Sequence, residues 1–367
     1  MNLEINKDKL TQAILKAEKV TKKNGSLPVL SCVLLEAKND SLIIKSTNLD
    51  IALELEIRAK VQEPGVVAVS GSLLSSYLNS LNKSDDTLTI SLEQDNLYIN
   101  SRSSETTLNI ISPEDFPEVP KSLNNNNFTI KTNDLIDGFQ SVWYSASTSN
   151  IKPELSSVYI YPNGEEIIFV ATDSFRLAEK KLKIGNTEDF KPVLIPYRNA
   201  VEIVKILEDT ASETDILFED DQIILKNSQI YLVSRIVDGV FPDYNQIIPK
   251  ESKTISNLLK DDFVQVMRTL NVFSDNFYHA QMSISPTDDV FEISTKNKDR
   301  GETINKIKAK SDGEGLKISF NFKYINDCLS SIKSDSLNFI FNGSDKPLII
   351  SGAKDGTFRY LVMPMNN

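Results

Sequence analysis

The chain has 367 residues, of which 40% are hydrophobic and 25% are charged, with a formal net charge of −11. A chain of this length can bury more than one core, so two or three domains are expected. His279 is the single histidine, and none of the glycine-rich phosphate-binding motifs occurs. These features argue against a histidine-rich metal site and against nucleotide chemistry, so no cofactor, metal or catalytic residue is expected.

The thiols and the N-terminus indicate the compartment. Cys32 and Cys328 lie far apart, without C-x-x-C spacing, and are expected to be reduced thiols. No apolar run approaches the roughly 20 residues of a membrane span, and the first ten residues lack the apolar core of a signal peptide. A cytoplasmic protein is expected.

Helical patterns recur along the chain in two series. Members of the first series are spaced by 125 and 128 residues, and they begin at Leu10, Leu135 and Phe263. Members of the second series are spaced by 126 and 125 residues, and they end at Leu81, Leu207 and Ile332. Since two independent markers share one period, the sequence predicts a threefold repeat.

Strand patterns fill the space between these helices. In residues 50–57, every second residue is apolar, as in a strand with one buried face. After each helix of the second series come two alternating runs joined by a short polar turn, as in a hairpin; these lie at 87–100, 215–227 and 337–352. Each repeat therefore contains antiparallel sheet.

Phe-Pro pairs close the first two repeats. They lie 125 residues apart, within 116–120 and 241–249, and proline interrupts a strand ladder. The prediction is an α+β fold of three similar domains, each with two helices packed on antiparallel sheets. The predicted domains are 1–125, 126–250 and 251–367.

The C-terminal segment 358–365 is apolar where most chains become polar. Its alternating pattern ends in Val362, Met363, Pro364 and Met365, and this surface needs a cover. Either the end of the last strand is buried in the fold, or the segment forms part of a binding site.

The helix that begins near Leu10 has one basic face. At 100° per residue, Lys9, Lys16, Lys19 and Lys23 cluster on one side, and the apolar residues occupy the other. Weaker basic pairs occur in the predicted helices 197–207 and 323–333; they are Arg198 with Lys205, and Lys323 with Lys333. Each stripe alone is also compatible with an ordinary solvated face.

Four motifs at 27–37, 171–182, 241–250 and 360–365 resemble the bacterial sliding clamp family, the beta subunit of the replicative DNA polymerase. The resemblance covers the whole chain. It implies that two three-domain protomers close head to tail into a homodimeric ring around duplex DNA, with helices lining the hole. It also implies a non-catalytic processivity factor that tethers the replicative polymerase, the clamp loader, other polymerases and repair proteins through short linear peptides.

The resemblance also implies three sets of site residues. A peptide pocket between the second and third domains is expected to contain Leu155, Thr172, Phe175, Arg176, Leu177, Pro242, Ile247, Asn321, Tyr324, Val362, Met363, Pro364 and Met365. The residues expected to face DNA are Lys9, Lys16, Lys19, Lys23, Asn24, Lys152, Arg198, Lys205, Lys323 and Lys333. The dimer interface is expected to bury Thr106, Leu108, Val272 and Phe273, with 103–111 as an edge strand.

Three departures from the family pattern affect these expectations. The predicted helix at 72–82 has no basic residue where family members commonly have some. Phe175 replaces a histidine that many relatives have, and Gln246 replaces an arginine. Two alternatives stay open: an enzyme, which needs a cleft of converging acid and base groups, and a monomeric β-rich peptide-binding adaptor without a DNA role.

Overall fold

A computed structural model of the chain describes residues 1–22, 27–82, 84–122, 127–249 and 251–365. Lys23 and Asn24, two of the residues predicted to face DNA, lie outside the described residues. Among the residues described, no helix combines the length and the apolar character needed to cross a membrane.

Helices and antiparallel strands alternate along the chain. The α-helices are α1 (Lys7–Val20), α2 (Gly71–Ser80), α3 (Thr132–Val142), α4 (Tyr197–Leu207), α5 (Lys260–Phe273) and α6 (Phe322–Cys328). Short 3₁₀ helices span Pro28–Ser31, Trp143–Ser145, Tyr244–Ile247, Pro286–Asp288 and Leu329–Ser331.

The strands of the first half of the chain are β1 (Asn2–Asn6), β2 (Cys32–Lys38), β3 (Ser41–Thr47), β4 (Ile51–Arg58), β5 (Lys60–Glu63), β6 (Gly65–Ser70), β7 (Thr87–Glu93), β8 (Asn96–Asn100), β9 (Glu105–Asn109), β10 (Phe128–Lys131), β11 (Ser157–Asn163), β12 (Glu166–Thr172) and β13 (Arg176–Lys183). The remaining strands are β14 (Val193–Pro196), β15 (Glu213–Phe218), β16 (Gln222–Lys226), β17 (Ile230–Arg235), β18 (Thr254–Leu259), β19 (His279–Ser285), β20 (Val290–Asn297), β21 (Gly301–Gly313), β22 (Leu316–Asn321), β23 (Ser336–Phe341), β24 (Leu348–Gly352) and β25 (Asp355–Val362).

Helix α1 shows how the local sequence sets the element bounds. It begins three residues before the first apolar position of the pattern because the side chain of Asn6 caps it, accepting from the backbone N–H of Lys9 at 3.0 Å. Its apolar face, which includes Leu10, Ile14 and Ala17, is buried, as the helical wheel predicted.

Contacts divide the chain into two compact units. The first unit comprises Met1–Ile136 and Arg198–Ile236. It contains a five-stranded sheet in the order β5-β1-β7-β8-β9 and an eight-stranded sheet in the order β10-β15-β16-β17-β4-β3-β2-β6. In the eight-stranded sheet β4 pairs with β17, so strands from the first and second sequence repeats share one ladder.

The second unit comprises Asp137–Tyr197 and Val237–Asn367. Its twelve-stranded sheet has the order β14-β11-β12-β13-β25-β24-β23-β18-β21-β20-β19-β22, and β13 pairs with β25. Gly138 in α3 permits close packing on this sheet, because a Cβ there would lie 2.6 Å from the ring of Phe169.

The predicted α+β repeat is confirmed, with two helices and antiparallel strands in each of three repeats. The three predicted hairpins are β7–β8, β15–β16 and β23–β24. Helix α6 ends at Cys328 and continues as a 3₁₀ turn, so this predicted helix is shorter than 323–333. The predicted domain boundaries remain a prediction, and the pairs β4–β17 and β13–β25 join strands on either side of them.

Candidate functional site

A tight turn between β12 and β13 presents Phe175 to solvent. Thr172 Oγ1 donates to the carbonyl oxygen of Arg176 at 2.6 Å, and Asp173 Oδ1 accepts from the N–H groups of Phe175 (2.9 Å) and Arg176 (3.0 Å). Ser174 completes the turn in the left-handed region, at φ 77°. The turn is thus fixed by its own side chains, and Phe175 is 62% exposed.

Arg176 fastens this turn to α6. Its Nε donates to Asp173 Oδ2 at 3.0 Å and its Nη1 to Asp327 Oδ2 at 2.5 Å, while its guanidinium carbon lies 4.4 Å from the ring centroid of Tyr324. Asn321 caps α6 by accepting from two backbone N–H groups. The guanidinium of Arg176 already bonds to two carboxylates and stacks on a ring. Arg176 therefore mainly holds the turn and α6 together.

The C-terminal segment is held against the same turn. Met363 N donates to Phe175 O at 2.8 Å, and Met365 N donates to Ser319 O at 2.8 Å. Val362 is buried opposite Arg176 in the β13–β25 ladder, whereas the side chain of Met363 is 39% exposed. The apolar chain end is therefore an ordered continuation of the sheet that brings a methionine to the surface.

A shallow, open cavity lies between the turn and the C-terminal segment. Six of the predicted peptide-pocket residues line it: Thr172, Phe175, Arg176, Leu177, Ile247 and Met363. Leu177 is buried beneath the cavity, while Phe175, Ile247 and Met363 are exposed around it. A buried apolar floor with exposed apolar side chains around it suits a small apolar side chain of a bound peptide.

The other predicted pocket residues lie outside this lining. Tyr324 stacks on Arg176, and both Leu155 and Val362 are buried. The other predicted residues that do not line the cavity are Pro242, Asn321, Pro364 and Met365. Sequence reasoning missed three lining residues, Ser174, Pro347 and Leu361. Ser174 and Leu361 fall inside motifs that carry the family resemblance, whereas Pro347 precedes β24 in an otherwise ordinary hairpin turn.

Buried aromatic residues hold the segment after β17 beneath the cavity. Phe241 and Tyr244 pack in one cluster with Leu177 and Leu361, and the Tyr244 hydroxyl donates to Glu179 Oε2 at 2.6 Å. Burial, together with the nearby Glu179 carboxylate, raises the pKa of Tyr244 far above its usual value, so this hydroxyl stays protonated. The position of Ile247 on the cavity wall follows from this anchoring.

The predicted basic residues of the first unit have different environments. Lys9, Lys19 and Arg198 are exposed, and none of the three pairs with a carboxylate in the described part of the chain. Lys16 Nζ instead donates to Ile206 O at 2.9 Å and to Glu208 O at 2.6 Å, and burial lowers its pKa. Lys16 therefore caps the C-terminal end of α4, a role that the wheel did not indicate.

The remaining predicted cations are similarly divided. Lys205 is bonded to Glu202 at 2.9 Å and Lys333 to Asp137 at 2.8 Å, so each is partly neutralised. Lys152 is exposed, and Lys323 is exposed beside the ring of Tyr278. Within the described residues, the predicted cations whose side chains form no hydrogen bond or ion pair are Lys9, Lys152, Arg198 and Lys323, whereas Lys19 Nζ donates to Lys205 O at 3.5 Å.

The predicted dimer residues differ in how far the single chain already buries them. Strand β9 is an edge of the five-stranded sheet, as expected, and Thr106 is half-buried on it. Leu108, however, is already buried within the first unit, which leaves little of its side chain for a partner chain to cover. At the end of α5, Val272 is 61% exposed and Phe273 is half-buried.

Strand β21 supplies an edge that sequence reasoning missed. Its residues 301–308 pair with β20, and its residues 309–313 pair with β18. Between 302 and 307, the side of β21 that faces away from β20 has no strand partner among the described residues. Ile304 in this stretch is 57% exposed, so an apolar side chain lies on the open edge.

These features define a repeat-built binding protein with an apolar cavity on one strand junction. Family models of the DNA polymerase III beta subunit match along the chain: the N-terminal domain over 1–120, the central domain over 129–243 and the C-terminal domain over 245–366.

Curated relatives and solved structures agree with these matches. The beta sliding clamps of Bacillus subtilis and Staphylococcus aureus are 27% identical over 380 residues and 26% identical over 374 residues, each covering 100% of this chain and 99% of the relative. The crystal structure of the Bacillus subtilis clamp matches with a TM-score of 0.93 at 26% identity, covering 100% of this chain and 99% of that one. The chain belongs to the DNA polymerase III beta subunit family, the bacterial sliding clamps.

Proposed function

We propose that two copies of the chain close head to tail into a ring around duplex DNA and tether the replicative polymerase for processive synthesis. The ring also engages the clamp loader, other polymerases and repair proteins through short peptides, acts in the cytoplasm, and has no catalytic activity of its own. The observation that carries the proposal is the apolar cavity where β13 meets β25, walled by Phe175, Ile247 and Met363.

This cavity is the proposed site for partner peptides. Leu177 and Leu361 form its apolar floor, and the exposed rim can close over an aliphatic or aromatic peptide side chain. Met363 suits such a site because its flexible thioether packs against side chains of different shape. Peptides of different sequence can therefore share the cavity.

The proposed DNA surface consists of the exposed cations Lys9, Lys19, Lys152, Arg198 and Lys323, and the one hydrogen bond of the Lys19 ammonium, to Lys205 O, is long at 3.5 Å. Lys16, Lys205 and Lys333 contribute less, because each already has a protein partner. A sliding ring needs only weak phosphate contacts that carry no sequence information, since topology retains the DNA. Screening over roughly 8 Å at physiological salt limits the influence of the acidic remainder of the chain.

The proposed dimer contact joins the free edge of β9 to the free edge of β21 on a second copy. Both edges offer unpaired backbone groups, and an edge strand readily accepts a partner strand. Val272, Phe277 and Ile304 provide exposed apolar surface in the same unit as β21. Two such contacts, related by a two-fold axis, close the ring.

The ring is tested by retention on DNA. The protein, once loaded on a closed circular duplex, is expected to stay bound through gel filtration and to run off after the circle is linearised. Equal loss from the circular and linear forms contradicts encirclement. A monomeric mass in sedimentation, with peptide binding intact, identifies the adaptor alternative instead.

The dimer contact is tested with Val272→Asp combined with Ile304→Asp. Burying unpaired carboxylates at the contact is expected to give monomers, because the cost of desolvating each charge is large. Both side chains are exposed, so the fold of the single chain should survive, which Leu108→Asp would not allow. A dimeric mass for this double variant means that the contact lies elsewhere.

The peptide cavity is tested by deleting residues 363–367. Titration calorimetry with a polymerase-tail peptide is expected to show no detectable binding, since each lost apolar contact is worth about 1.5–3 kcal/mol. The dimeric mass should be unchanged. Ile151→Ala, an exposed apolar residue outside the cavity, serves as the matched control. Unaltered affinity after the deletion means that the chain end has only a structural role.

A further inference from the structure

A second cavity in the same unit lies between α5 and α6. Its volume is about 320 Å³, and it shares no lining residue with the peptide cavity. From α5 it receives Arg268 and Asn271, from α6 it receives Lys323 and Asn326, and aromatic rings come from Tyr278 and Phe322. Two cations, two amides and two aromatic rings thus face one space.

The ring of Tyr278 is held in a fixed position at this cavity. Its backbone lies in the left-handed region at φ 55°, which is unusual for a bulky residue, and its carbonyl oxygen accepts from Phe322 N at 2.9 Å. The two rings meet edge to face with centroids 5.6 Å apart, and Lys323 Nζ lies 5.1 Å from the Tyr278 ring centroid. The surroundings therefore maintain an uncommon backbone conformation that sets an aromatic ring beside a cation.

The cavity has a net positive character. Arg268 and Lys323 are exposed, and neither forms an ion pair with a carboxylate within the described ranges. The one carboxylate of the lining, Asp327, is bound by Arg176 at 2.5 Å. The charges of Arg268 and Lys323 are thus available to an anion.

We propose that this cavity binds an unpaired nucleotide of single-stranded DNA. The base stacks against Tyr278, Arg268 and Lys323 hold the flanking phosphates, and Asn271 or Asn326 offers hydrogen bonds to the base edge. Aromatic stacking combined with cations is the arrangement by which proteins hold single strands without reading their sequence. The inference rests on the proposed function, because a clamp at a primer–template junction has single-stranded template beside it.

The test measures binding of the full-length protein to fluorescein-labelled oligodeoxythymidine and to a duplex of equal length, by anisotropy at one fixed salt concentration. Tyr278→Asn removes the ring, while asparagine tolerates the left-handed backbone. It is expected to weaken single-strand binding at least about five-fold and to leave duplex binding unchanged. Arg268→Gln with Lys323→Gln should also weaken single-strand binding and flatten its salt dependence. Lys310→Gln with Lys317→Gln, the same change of charge outside the cavity, should do neither.

Each other outcome counts against the nucleotide site. The proposal is overturned if the unaltered protein does not bind single strands. It is also overturned if Tyr278→Asn keeps its single-strand affinity or loses single-strand and duplex affinity equally. Retention of Tyr278→Asn on closed circular DNA separates the two proposals, because encirclement does not need this cavity. An unaltered protein that fails to stay on the circle contradicts the proposed function without bearing on the single-strand result.

Discussion

The strand junctions β4–β17 in the first unit and β13–β25 in the second unit are built on one plan and serve different ends. Thr47 Oγ1 donates to Ile51 O at 2.9 Å in the first junction, as Thr172 does to Arg176 in the second. Asn48 Oδ1 accepts from two backbone N–H groups, as Asp173 does, and Leu49 has φ 76° where Ser174 has φ 77°. The repeat thus preserves the turn itself.

The junctions differ in the side chain that the neighbouring helix supplies. In the first junction Asn199 of α4 is buried, and its amide donates to Ser234 Oγ at 3.0 Å and to Asp50 O at 3.4 Å. In the second junction the corresponding residue is Tyr324 of α6, which stacks on Arg176. A buried amide seals the first junction with hydrogen bonds, whereas the second has an aromatic side chain and a cavity beside it.

The segments that follow each repeat add to this difference. Val119 packs on Ala52, Leu217 and Val233 and covers the first junction. In the second junction the corresponding segment buries Phe241 and Tyr244 but leaves Ile247 at the cavity wall. A repeated fold therefore gains an apolar cavity by changing a few side chains around a preserved turn.

The largest expected effects on stability come from replacing buried residues at matching positions of the two ladders. Leu361→Ala in β25 should lower the free energy of unfolding by about 3 kcal/mol, and Val233→Ala at the matching position of β17 by about 2 kcal/mol, because each leaves a core cavity. Denaturant unfolding of the two variants measures this. Leu361→Ala alone should also weaken peptide binding, since Leu361 forms part of the cavity floor. Equal peptide affinities in both variants would mean that the second junction does not bind peptide in preference to the first.

The seal of the first junction is tested by Asn199→Ala. The change should cost about 2 kcal/mol of unfolding free energy, because the buried Ser234 Oγ loses its donor, and it should leave peptide affinity unchanged. Asn257→Ala is the control; Asn257 is half-buried and bonds to Asn338 at 2.8 Å, so its loss should cost about 1 kcal/mol or less. A cost for Asn199→Ala no greater than that of the control means that the amide network does not hold this junction.

The sequence predicted the repeat and the family motifs because both are local patterns. Alternation in 50–57 and the three hairpins needed only the two-residue period of a strand. Pairing between β4 and β17 joins residues about 180 positions apart, and no local pattern specifies such a partner. Pro347 reaches the cavity, and Lys16 reaches the end of α4, through tertiary contacts of this kind. Leu108 was correctly placed on an edge strand, but the local pattern did not show that its side chain is buried within its own unit.

Alanine substitutions in the two turns are expected to have the smallest effect on stability, and they compare the two turns most directly. Phe175 and Leu49 are the exposed apolar residues of the second and first turns, so replacing either by alanine should change the unfolding free energy by no more than about 0.5 kcal/mol. Phe175→Ala should nevertheless weaken a polymerase-tail peptide about ten-fold, because the ring forms a wall of the cavity and aromatic residues carry much of the energy of such contacts. Leu49→Ala should leave peptide affinity unchanged, since Asn199 seals its junction. Calorimetric titration of both variants with one peptide decides the matter: equal losses mean that both turns bind peptide, and no loss in Phe175→Ala means that peptides bind elsewhere.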